Sequence, residues 1–138
     1  MRARPHSRVA PLIFFLDRSI GKHIVTEALR HAGVEVEVHD DHFPPNARDD
    51  VWLPPVGERG WIVLTRDKRI RYRSQERIAL IQARGRAFVL SGGSLSGLAM
   101  ATAFVNGLPA MRQFVERYQA PFIAGVTQTG SVSLLFKP

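Results

Sequence analysis

The chain has 138 residues, with 19 Lys+Arg against 12 Asp+Glu and a formal charge of +7. That length suits one domain, an apolar content of 45% excludes a disordered chain, and so basic a balance makes nucleic acid a candidate partner. The lack of cysteine removes disulfides, zinc–thiolate sites and cysteine nucleophiles together, and no apolar stretch approaches the ~20 residues of a membrane span.

Residues 1–10 carry Arg2, Arg4 and Arg8 without periodicity and read as a basic N-terminal arm ahead of a single domain at 11–138. The apolar run that follows, Leu12 to Leu16, is too short for a signal-peptide core and ends in Asp-Arg, so a cytoplasmic location is expected. Its continuous apolar character is that of a strand covered on both faces. Ser19 to His31 is helical by spacing, with Ile20, Ile24, Val25, Ala28 and Leu29 on one face and Gly33 as its C-cap. Val34 to Val38 alternates valine and glutamate, the pattern of a half-buried strand.

His39 to Arg48, with Pro44-Pro45, reads as a loop. A short helix begins at Asp49 with Trp52, Leu53 and Val56 inward, and Pro54-Pro55 are expected to hold it to its first turns. Trp61 to Thr65 is a strand, 74–84 a helix ended by Gly85, and Ala87 to Leu90 another strand. Ser91-Gly92-Gly93-Ser94 reads as a strand-to-helix turn with a serine cap, since it lacks the spacing and the lysine of a phosphate-binding P-loop. Leu95 to Tyr118 is helical with a break expected at Gly107-Leu108-Pro109, and 121–136 forms a terminal β-hairpin turning at Thr129-Gly130. Strands alternating with helices imply an α/β fold, a mainly parallel sheet flanked by helices.

Two aspartates stand where such a fold does chemistry. Asp17 closes the first apolar strand and Asp67 closes Trp61–Arg66, which brings both to the carboxyl edge of the sheet, where open α/β folds bind ligands. Carboxylates gathered there repel one another unless a hard divalent cation sits among them. The competing role for Asp17 is a helix cap, and for Asp49 or Asp50 an N-cap or a first-turn residue, one of which can face the metal. Thr65 is placed to orient a carboxylate or a metal-bound water. Arg66, Lys68, Arg69, Arg71 and Arg73, interleaved with Ile70 and Tyr72, suit contacts to phosphates; the alternative is an ordinary exposed basic loop. His39 and His42, beside Asp40, Asp41 and Glu27, lack the partners of a zinc site and read as solvated loop histidines.

The segments Phe14–Lys22, Asp49–Leu53 and Gly60–Ile70, above all Thr65-Arg66-Asp67-Lys68 after an apolar strand, resemble PIN-like domains, in particular the VapC-like toxins of toxin–antitoxin pairs. The resemblance spans most of residues 12–125. It implies a three-layer α/β/α sandwich around a mainly parallel sheet, and a ribonuclease dependent on Mg2+ or Mn2+. It implies Asp17, Asp49 and Asp67 as the acidic cluster, with Asp50 as a substitute for Asp49; Thr65, Arg66, Lys68, Arg69 and Arg71 are then the residues expected on the RNA. A fourth acid is not placed, because the stretch beyond Asp67 is basic. RNA and a cognate antitoxin are the implied partners, and self-association is left open. The rival reading is a non-catalytic PIN-like module that binds RNA or protein; it turns on whether the carboxylates converge.

Overall fold

Strand and helix segments alternate along the chain and collect into one six-stranded sheet with helices on both faces. The computed structural model describes residues 12–138; the basic arm expected at 1–10, with Arg2, Arg4 and Arg8, lies outside the described residues. In chain order the elements are β1 (Ile13–Leu16), α1 (Ile24–His31), β2 (Glu35–Val38), a 3-10 turn (His39–Asp41), α2 (Asp49–Glu58), β3 (Ile62–Thr65), α3 (Arg69–Tyr72), α4 (Ser74–Gln82), β4 (Arg86–Leu90), α5 (Gly97–Arg117), β5 (Phe122–Val126) and β6 (Val132–Phe136). The strand order is β2-β1-β3-β4-β5-β6. The first five strands are parallel, and β6 returns antiparallel to β5 as the expected hairpin.

Successive strand residues point to opposite faces, so each short apolar run feeds two cores. Phe14, Leu16, Ile62, Leu64, Phe88 and Leu90 face α1 and α5. Phe15, Val63, Ala87 and Val89 face Trp52, Leu53 and Val56 of α2 and Ala79 and Leu80 of α4. This is the three-layer sandwich. Strands buried on both faces need no polar alternation, which is why β1, β3 and β4 read as continuous apolar runs.

Several local expectations are corrected. The first helix begins at Ile24 rather than Ser19, because Ser19 is engaged with Asp17 and Gly21 takes φ +89°, outside the helical region. Ile24, expected inward, is exposed. The helix α2 continues through Pro54 and Pro55 to Glu58. Each proline removes a ladder bond and strains the turn before it, at a cost of about 3 kcal/mol. The offset is tertiary: Trp52, Leu53 and Val56 are buried, and Gly57 lets α2 lie directly on Ala83, where a Cβ would stand 2.5 Å from the Ala83 carbonyl oxygen. Likewise α5 runs unbroken through Gly107-Leu108-Pro109, its buried face (Phe104, Leu108, Met111, Phe114) continuous across the proline. Its cap is Ser96, whose Oγ accepts from the Ala99 N–H at 3.1 Å. The basic stretch after Asp67 is a one-turn helix, α3, rather than a loop.

Candidate active site

From β1 the sheet extends one way to β2 and the other way to β3. Strand order therefore reverses between β1 and β3, and the crevice beyond their carboxyl ends is where such sheets take ligands. Asp17 follows β1 directly, and its N–H donates to the Leu64 carbonyl at 3.2 Å. Its carboxylate is buried. Oδ1 accepts from the Ser19 N–H at 3.0 Å and from the Ser19 hydroxyl, and Oδ2 accepts from the Thr65 hydroxyl. Those hydroxyls are themselves held: Ser19 Oγ accepts from the Arg66 N–H at 2.8 Å and Thr65 Oγ1 from the Asp67 N–H at 2.9 Å. The network locks the ends of β1 and β3 together. Burial pushes the Asp17 carboxyl up to about 6, although the bonds from Ser19 and Thr65 pull the other way.

Asp49 opens α2, and its Oδ1 accepts from Trp52 Nε1 at 3.1 Å. Burial raises its pKa, and the charge of Asp67 adds to the effect. Asp67 lies two residues beyond β3. Arg69 donates to it from its backbone N–H (2.9 Å), from Nε (2.9 Å to Oδ1) and from Nη2 (2.8 Å to Oδ2), which holds its carboxyl below the usual range. Asp17, Asp49 and Asp67 line one pocket of about 180 Å3 together with Ser19, His39, Trp52 and Arg69. Asp50 does not join them. It pairs with Arg48 at 2.8 Å and lines a separate groove with Pro54, Gly57 and Ile78.

The expected phosphate contacts divide. Thr65 is fully buried and serves Asp17 rather than a substrate. Arg66 donates to the carbonyls of Gly92 and Gly93, which ties the turn after β4 to the end of β3. Arg69 is held on Asp67, and Arg73 lies 3.9 Å from Glu76. Lys68 and Arg71 are held by no carboxylate in the ion pairs of the described residues. They line a second pocket of about 250 Å3 with Tyr72, Ser91, Thr127 and Ser133, and the Arg71 guanidinium lies 5.2 Å from the ring centre of the exposed Tyr72.

Two residues in or near the pocket escaped the sequence reading. His39, expected to be solvated, is 1% exposed and packed among Phe15, Phe43 and Trp52. Its signal was present, since it directly follows the strand Glu35–Val38 just as Asp17 follows β1. Glu76, in the first turn of α4, has its pKa raised by burial and then by the charges of Asp49 and Asp67. Its Oε2 is buried without a partner. No local pattern marked it. His42, by contrast, is an outer residue bonded to Glu37 at 2.6 Å.

Among the described residues, no three carboxylate or imidazole groups stand close enough to enclose a metal ion. Asp17 is engaged by hydroxyls and Asp67 by the guanidinium of Arg69. The chemistry of the donors nevertheless fits a hard divalent ion. Three carboxylates line one small pocket, and two of them are driven toward protonation by burial and by like charge. Oxygen donors without thiolate suit Mg2+ or Mn2+.

An α/β/α sandwich with acids at the switch point defines a class, and the chain belongs to it: it matches the family described as "PIN like domain" over residues 12–92. It is also similar to the protein named "Putative ribonuclease VapC45" of Mycobacterium tuberculosis, with 27% identity over 125 residues that cover 88% of this chain and 90% of that protein. No solved structure matches. Among the described residues, no helix is long and apolar enough to cross a membrane.

Proposed function

We propose that the chain is a divalent-cation-dependent endoribonuclease, the toxin of a toxin–antitoxin pair acting in the cytoplasm. One observation carries the reading: Asp17, Asp49 and Asp67, from three separate elements, line one pocket at the switch point of the sheet. The family match and the ribonuclease name of the relative support it. The antitoxin rests on the resemblance of Phe14–Lys22 and Gly60–Ile70 to VapC-like toxins. Asp17, Asp49 and Asp67 would hold Mg2+ or Mn2+, which supplies charge stabilisation and activates water for attack on a phosphodiester.

The chain's own residues prepare the rest. Ser19 and Thr65 fix the Asp17 carboxylate in one orientation. Lys68 and Arg71 line the second pocket and would take the flanking phosphates. The exposed ring of Tyr72 offers a face on which an unpaired base can stack, the usual way proteins engage single-stranded RNA.

A second reading, RNA binding without hydrolysis, is favoured by two observations: the carboxylates lining the pocket do not stand close enough to enclose one ion, and the guanidinium of Arg69 stands on Asp67. Cleavage of a labelled single-stranded RNA decides between them. The nuclease reading expects cutting with Mg2+ or Mn2+, none in excess EDTA, and none by Asp17→Asn or Asp67→Asn while both variants stay folded. RNA bound but uncut under every condition establishes the second reading.

A further inference from the structure

Among the residues that line the acidic pocket is one imidazole, that of His39. His39 comes to it from β2, the strand on the far side of β1 from β3, in register such that Val38 lies beside Leu16. His39 thus follows β2 at the level where Asp17 follows β1. The ring is clamped: its centre lies 5.7 Å from that of Trp52 with the planes perpendicular, and 5.7 Å from that of Phe43.

The two ring nitrogens differ. Nδ1 is 2.8 Å from Asp40 Oδ1, and Asp40 is also paired with Lys22 at 3.3 Å. An ionised carboxylate only accepts hydrogen bonds, so Nδ1 must carry the proton. In the neutral ring Nε2 is then a bare acceptor. That nitrogen is buried and has no partner within the protein, and His39 is among the residues that line the pocket shared by Asp17, Asp49 and Asp67. A buried acceptor is seldom left unmade, and a polar pocket of this size admits water.

We propose that His39 orients the hydrolytic water, its Nε2 accepting a hydrogen bond from the water held in the acidic pocket. The inference rests on the pocket being the hydrolytic site. In the step, the water oxygen bonds to phosphorus as the bond from phosphorus to the 3′ oxygen breaks. The water proton passes to solvent, and the 3′ oxygen takes one up from solvent. The His39 ring fixes the direction of the lone pair that attacks. Asp40 acts through His39, as the carboxylate partner that sets its tautomer and angle.

Two substitutions separate this role from a packing role. The amide of His39→Gln reaches the position of Nε2 but gives up the bond to Asp40. The amide of His39→Asn keeps a donor near Asp40 and leaves the pocket wall empty. With RNA affinity and melting temperature measured alongside, the proposal expects His39→Asn to lose about 10²-fold in the cleavage rate at saturating RNA, the usual scale for a misplaced reacting group, at unchanged RNA dissociation constant. His39→Gln should recover part of that loss. If Asn retains activity while Gln loses both activity and stability, or if both fall equally, His39 only holds the fold and the proposal fails. Nitrogen-15 NMR of the unaltered protein gives a check that needs no variant: a neutral ring protonated at Nδ1 is expected, and an Nε2–H tautomer overturns the role. A wild-type chain that cuts no RNA in the presence of Mg2+ or Mn2+ removes the hydrolytic reading itself. Cutting by wild type combined with the packing pattern in the variants removes this inference alone.

Discussion

Arg69 holds Asp67 in a forked contact, Nε on Oδ1 at 2.9 Å and Nη2 on Oδ2 at 2.8 Å, with the Arg69 backbone N–H on the same carboxylate. The same arginine lies in the field of Asp49 and Glu76, both of which add to the strength with which it keeps its proton. The chain therefore carries its own counter-cation in a pocket lined by three aspartates.

Arg69→Gln removes that competitor. We expect divalent-cation affinity, measured by Mn2+ titration without RNA, to rise by up to about fivefold, the scale of an exposed ion pair worth ~1 kcal/mol. Unchanged or weaker Mn2+ binding in the folded variant would show that Arg69 supports the acidic pocket rather than closing it.

Asp17 makes stability depend on pH. Its folded pKa, about 6, lies above the ordinary 3.8, so the folded state favours the protonated carboxyl. The associated stability is complete below about pH 4 and is lost as pH rises through 6. Asp17→Asn imitates the neutral form. In EDTA it should be more stable than wild type by about 2–3 kcal/mol at pH 8, from 1.36 kcal/mol per pKa unit. The difference should vanish near pH 4. Urea unfolding across that range checks it, and a variant less stable at pH 8 contradicts the burial argument.

Lys68, Arg71 and Tyr72 line a pocket of their own, immediately after Asp67 in the chain. Replacing Lys68 and Arg71 by Gln should weaken single-stranded RNA binding and lower the salt slope by ~0.7 for each phosphate no longer neutralised. Tyr72→Ala should cost about 1–3 kcal/mol of binding with the slope unchanged, because stacking is removed and charge is not. Fluorescence anisotropy over a salt series reads both. Slopes that stay at the wild-type value in the double variant mean the RNA is held elsewhere.

Gly57→Ala tests the close approach that carries α2 through its prolines. The added Cβ would meet the Ala83 carbonyl oxygen at 2.5 Å and the Ala83 Cβ at 2.6 Å. The backbone there has no flexible end to yield, so a loss of about 1–3 kcal/mol is expected, read as a lower urea midpoint. A neutral result would mean α2 and α4 are free to separate.

The local chemistry of the chain was enough for a mainly parallel sheet flanked by helices and for the sheet-edge positions of two aspartates. Buried strands in Leu12–Leu16 and Trp61–Thr65 had to be continuous apolar runs, and a polar residue at the end of such a run can only emerge at the sheet edge, which located Asp17 and Asp67. Helix ends inferred from prolines failed at Pro54-Pro55 and at Pro109. Local backbone preference was outweighed there by the buried faces of Trp52, Leu53 and Val56 and of Phe104, Leu108 and Met111, a balance set by tertiary packing. The roles of the cations were also tertiary. Arg66, Lys68, Arg69 and Arg71 look equivalent in a row of basic residues, but one turn of helix directs Arg69 onto Asp67 and Lys68 and Arg71 to a pocket of their own, while Arg66 is held by the turn after β4. His39 lines the pocket because β2 lies beside β1, and Glu76 feels the charges of Asp49 and Asp67 because α4 lies beside α2. Sequence decides which residues must be buried or exposed. Which buried carboxylate meets which cation depends on distances that exist only once the sheet has assembled.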